Sequence, residues 1–147
     1  EMCIRDRHEH DFPIAAGFYA DLDGATAVMQ SEALAASVAF NVYRFVNEEW
    51  LIEQTLAPRI SEEIDFGGYR PIARVDGDIA TVGYAKGDGS YNTSYCSVFI
   101  RRAEGWIEVD TLRDRSVGQG NFSSAFKTPR VDVSGNRVMI GFQQKNS

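Results

Sequence analysis

The chain has 147 residues, 44% of them hydrophobic and 12% aromatic, which is enough apolar material to build a core and excludes a disordered chain. A formal net charge of −6 repels phosphate backbones and anionic lipid, so neither nucleic acid nor membrane insertion is expected. No apolar run reaches the roughly 18 residues that a membrane-spanning helix requires.

The first ten residues, EMCIRDRHEH, are charged, aperiodic and unlike everything that follows. They read as a non-native leader, similar to translated adapter sequence. On that reading Cys3, His8 and His10 are not native, and Cys96 is the one remaining cysteine.

From Asp11 onward the chain repeats itself. Three phrases open alike, DFPIAAGFYADLDG, DFGGYRPIARVDG and NFSSAFKTPRVDVSG, with Phe12, Phe66 and Phe122 at intervals of 54 and 56 residues. Gly24, Gly77 and Gly135 close the three phrases, each in a tight hairpin flanked by Val, Ile, Ala or Thr. A second phrase occurs twice at a constant offset of 56, NVYRFVNEEWLIEQTL from Asn41 and SVFIRRAEGWIEVDTL from Ser97. It aligns Tyr43 with Phe99, Trp50 with Trp106 and Leu56 with Leu112, and it reads as a second hairpin. Helical periodicity is absent, apart from one turn or loop at SEALAAS, residues 31–37. A longer polar link, KGDGSYNTS, separates the two hairpins of the second copy.

A repeat of this length holding four antiparallel strands suits an all-β fold of β-propeller blades, with apolar residues on both faces of strands such as SVFI and NVYRF. Residues 11–57 and 65–113 make two blades, and 121–142 make the first hairpin of a third. About two and a half blades are fewer than the four to eight of a closed propeller. Further blades of a longer chain, or self-association, are therefore expected.

These phrases resemble the FG-GAP-type β-propeller repeat of bacterial surface proteins, distantly related to the integrin α-chain propeller. Phe66-Gly67, Gly77, Gly83 and Trp106 carry the resemblance. The other copies depart from it at Pro13, Ser123 and Gln30, the counterpart of Gly83. The resemblance implies a non-enzymatic segment, extracellular or at the cell surface, used in binding or adhesion to a protein or carbohydrate. Two alternatives stand beside it. One is part of a propeller enzyme with its catalytic groups elsewhere, and the other is a structural spacer in a large surface protein.

Acidic residues gather at the hairpin tips, Asp21 with Asp23, Asp76 with Asp78, and Asp132 with Asn136. Calcium loops converge three or more oxygens on one ion, whereas each tip here offers two carboxylates at most, so turn chemistry is the simpler account and no metal or cofactor is expected. The loop AKGDGSYNTSY provides the candidate ligand-binding residues Asp88, Tyr91, Asn92 and Tyr95, aromatic and polar groups on a connection between strands. The echo of Trp50 in Trp106 favours packing over ligand stacking. Nucleophilic catalysis lacks a base, because the only histidines are in the leader. Cys96, inside a strand, reads as a small core residue.

Overall fold

The computed structural model describes residues 20–30, 38–59, 71–87, 92–113 and 129–141. Every element among them is a β-strand. Strands β1 (Ala20–Asp23), β2 (Thr26–Gln30), β3 (Phe40–Val46) and β4 (Glu49–Leu56) form the first sheet. Strands β5 (Ile72–Asp76), β6 (Ile79–Gly87), β7 (Asn92–Arg102) and β8 (Gly105–Arg113) form the second. Strands β9 (Arg130–Ser134) and β10 (Arg137–Gly141) form a two-stranded third. Within each sheet, every strand runs antiparallel to the next in sequence. The leader, the 31–37 stretch and the Phe-Gly pair at 66–67 lie outside the described residues.

Turn chemistry fixes the register. Asp23 pairs with Thr26, Asp76 with Ile79 and Ser134 with Arg137, leaving two-residue loops that begin with Gly24, Gly77 and Gly135. Their φ angles are +54°, +56° and +57°, while the second loop residues stay at negative φ, which is the type II′ hairpin. The second hairpins solve the same problem differently. Asn47 and Glu48 both hold positive φ, 53° and 69°, a type I′ turn, whereas the Ala103-Glu104 turn passes its positive φ to Gly105 at 116°.

The 56-residue echo extends to irregularities. Between Val42 and Tyr43 the register against β4 slips by one residue, and it slips again between Val98 and Phe99 against β8. Both slips are β-bulges, with Glu53 and Val109 as the extra residues. Phe45 pairs with Trp50 as Arg101 pairs with Trp106, so the two tryptophans hold equivalent positions.

The second sheet is stacked between the other two. β1 and β2 pack on β5, β4 on β8, and β5 and β6 on β9. Val28, Phe40, Val42 and Leu56 of the first sheet share one core cluster with Val75, Val82, Tyr84 and Phe99 of the second. Burying side chains of this size is worth roughly 1.5–3 kcal/mol each and drives the stacking. On the other side, a Cβ at Gly83 would lie 3.1 Å from Ile72 Cγ2 and Val131 Cγ1 and 3.2 Å from Pro129 Cγ. The second and third sheets approach there as closely as a glycine permits, which gives a physical reason for glycine in this copy where the first has Gln30.

Polar groups cross between the sheets at fixed places. Asp21 Oδ2 accepts the Val75 amide at 2.9 Å and Asp23 Oδ2 accepts the Gly77 amide at 2.7 Å. One unit further on, Asp76 Oδ2 accepts the Gly135 amide at 2.7 Å. Gln54 lays its side-chain amide along the backbone of Trp106, donating to its carbonyl and accepting from its N–H, both at 2.8 Å. Arg101 Nη2 meets Glu53 Oε1 at 2.6 Å.

Candidate ligand-binding site

A repeat reproduces its scaffold, so a copy-specific feature is where a site is to be sought. The second sheet has one. Strands β6 and β7 are 9 and 11 residues long, against 5 and 7 for their counterparts β2 and β3. The added pairs are Tyr84 with Tyr95, Ala85 with Ser94, Lys86 with Thr93 and Gly87 with Asn92. The expected polar link is therefore partly ladder, and only residues 88–91 remain between the strands. Aromatic residues facing each other across a ladder favour such an extension. The Tyr84 and Tyr95 rings stack with centroids 5.5 Å apart and planes 15° from parallel.

Of the four residues expected to contact a ligand, the structure places two on this outgrowth. Asn92 opens β7 opposite Gly87, at the far end of the ladder. Tyr95 lies three residues inward, half-buried, between Tyr84 and Arg113. Asp88 and Tyr91 lie outside the described residues.

Behind Tyr95 runs a polar chain. The Tyr84 hydroxyl is 3.3 Å from Ser97 Oγ, which is 3.4 Å from Thr111 Oγ1. Thr111 Oγ1 donates to Glu108 Oε1 at 2.6 Å. Glu108 Oε2 in turn accepts from the Arg59 backbone amide at 2.8 Å and from Arg59 Nε at 3.2 Å. The chain ends at Arg59, just past the end of β4, and so ties the segment that leaves the first sheet to the second sheet. Tyr84 and Arg59 are invisible as partners in the sequence: the first copy has Ser31 in the place of Tyr84, and Arg115, which repeats Arg59 at the 56-residue offset, carries no sign of the contact.

The electrostatics give this chain a structural character. Burial pushes the Tyr84 hydroxyl up to about 12, against a smaller lowering by Ser97. Burial likewise pushes the Cys96 thiol up to about 12. Burial pulls the Glu108 carboxyl upward, but hydrogen bonds from Thr111, Arg59 and Ser97 outweigh it and hold it below the usual glutamate range. Tyr84 and Cys96 stay protonated at neutral pH and Glu108 stays charged and saturated with donors, so these groups offer no acid–base pair.

The hairpin-tip aspartates are also engaged. Asp21, Asp23 and Asp76 direct carboxylate oxygens onto amides of the following sheet. Among the described residues no three His, Cys, Asp or Glu side chains converge as a metal site. Trp106 is buried in the core cluster, and Trp50 packs at 5.2 Å against Phe45.

Searched against family models, curated proteins and solved structures, the chain finds no match in any of the three.

Proposed function

We propose that the chain is a segment of an FG-GAP-type β-propeller that works outside the cell in binding or adhesion. Its ligand, a protein or a carbohydrate, is held on the outgrown hairpin of the second sheet. The observation that carries this reading is the difference between the copies. Two sheets share register, bulge and turn positions, yet one extends its middle hairpin, with Tyr95 and Asn92 at ladder positions of the extension. Aromatic rings backed by a rigid sheet offer contact area at little entropic cost, and amide side chains give directional hydrogen bonds to hydroxyls or peptide groups. Stacked antiparallel sheets whose first strands adjoin in order support the propeller arrangement. Among the described residues no helix is long and apolar enough to cross a membrane.

Oligosaccharide arrays and immobilised extracellular-matrix proteins probe the reading directly. Binding should appear on one of the two surfaces, and both Tyr95→Ala and Asn92→Ala should weaken it about tenfold, roughly the 1.4 kcal/mol of one good contact. Circular dichroism checks that each variant keeps its β signal. Failure to bind either surface, or full binding by both variants, would refute the assignment and leave the enzyme and spacer alternatives.

A further inference from the structure

The interface between the first two sheets has two sides, and each side recurs uncovered elsewhere in the molecule. Its front side belongs to the second sheet, where Val75 is 5% exposed and Val82 is fully buried. The equivalent positions on the first sheet are Leu22 and Met29, and Leu22 is 60% exposed. Ile52, in the register place of Glu108, is 59% exposed. Leu22, Met29, Ala20 and Ala27 line a hollow of about 410 Å³ on this uncovered face.

Along the edge strand of the same sheet, and among the described residues, the backbone lacks the partners that its counterparts have. Asp23 and Thr26 close a two-residue turn, so the next pair, Leu22 with Ala27, is a non-hydrogen-bonded one. Since β1 is an edge strand, the Leu22 amide points away from its sheet, as does that of Gly24 in the turn. In the second sheet the equivalent amides, of Val75 and Gly77, are taken by Asp21 and Asp23. Among the described residues neither the Leu22 nor the Gly24 amide has such an acceptor.

The rear side of the interface recurs on the third sheet. Asp132 and Ser134 precede Gly135 at the spacing at which Asp21 and Asp23 precede Gly24. Asp132 pairs with Met139 as Asp21 pairs with Val28. Val28 is fully buried and Met139 is 69% exposed. Asp132 bonds its neighbour's amide through Oδ1, at 3.1 Å, in a solvent-exposed contact.

We propose that the first sheet of one copy docks on the third sheet of a second copy, so that chains add head to tail. Asp132 and Ser134 then accept the Leu22 and Gly24 amides, and Met139 covers the apolar hollow. This repeats an interface that the molecule already makes internally. A contact between two different faces leaves one of each kind open at the ends, so it grows into rings or filaments rather than stopping at a symmetric pair. The inference does not depend on which ligand the hairpin binds, and its failure leaves that reading untouched.

Two exposed substitutions test it, Leu22→Glu on the front face and Met139→Glu on the rear, with molar mass followed by light scattering across micromolar concentrations. The unaltered chain should exceed monomer mass increasingly with concentration, and each variant alone should be monomeric. An equimolar mixture of the two variants should form a dimer and nothing larger, because one intact front meets one intact rear. Dimers of Met139→Glu alone would reveal a symmetric front-to-front contact and overturn the proposal. A monomeric unaltered chain at every concentration would overturn it as well and assign the face to a different partner. Unchanged circular dichroism and melting of both variants guard against misfolding as the cause.

Discussion

Gln54 and Gly105 form the sharpest test of how the first two sheets are joined. The Gln54 side chain makes two hydrogen bonds of 2.8 Å to the Trp106 backbone, and a Cβ on Gly105 would sit 2.6 Å from Gln54 Oε1. Gln54→Ala removes both bonds from a partly buried place, at about 2–3 kcal/mol when each is worth about 1 kcal/mol and the stranded groups add a penalty. Gly105→Ala costs about 1–2 kcal/mol for an L-residue held at positive φ. Its methyl group also evicts Gln54, which forfeits the same two bonds, so the total is about 3–5 kcal/mol. In the double variant the obstacle is gone and the bonds are lost only once. It should therefore be no less stable than Gly105→Ala alone, a coupling of about 2–3 kcal/mol against simple addition. Urea unfolding followed by circular dichroism, at one fixed protein concentration, supplies the four free energies. Additivity within about 0.5 kcal/mol would refute the reasoning, because it would mean that Gln54 and Gly105 do not share this space.

Two further outcomes follow from local geometry. Glu48 holds φ of 69° in a turn that prefers Asn-Gly, so Glu48→Gly should stabilise the chain by about 1 kcal/mol, and a loss of stability in the same urea assay would contradict the turn assignment. The Glu108 carboxyl is held below its ordinary value, so its contribution is complete above the unfolded glutamate pKa of about 4.3 and is lost as pH falls below that, through the lowered folded value. Glu108→Gln should lower stability at pH 7 and flatten this acid limb, and an unchanged slope in pH-dependent melts would show that Arg59 and Thr111 do not stabilise the charge.

Much of this protein was legible in its residues because the signals are local. Gly24, Gly77 and Gly135 announce hairpins through the positive φ that each turn requires. The 56-residue offset located both second hairpins, and the structure carries it down to the paired bulges at Val42 and Val98. The candidate site was only partly legible. The sequence places Tyr95 and Asn92 in a loop, because a run of Gly, Ser and Asn gives no pattern from which to tell a ladder end from a connection. Only the cross-strand pairing with Tyr84 and Gly87 decides it.

Tertiary structure alone settled what faces what. The aspartates of the hairpin tips look like turn residues in sequence, yet Asp21 and Asp23 reach amides 54 positions away. An edge strand has outward amides whatever its sequence, and which acceptor meets them depends on how the next sheet is stacked. Trp50 and Trp106 make the same point. Their sequence context and register are equivalent, but Trp106 is 4% exposed and sealed against the first sheet, while Trp50 is only half-buried, on the face that no other sheet among the described residues covers. Sequence determines the unit and its two faces through local conformational preference and the alternation of side chains. Burial is a property of the pair of units in contact, and a single repeat contains only half of it.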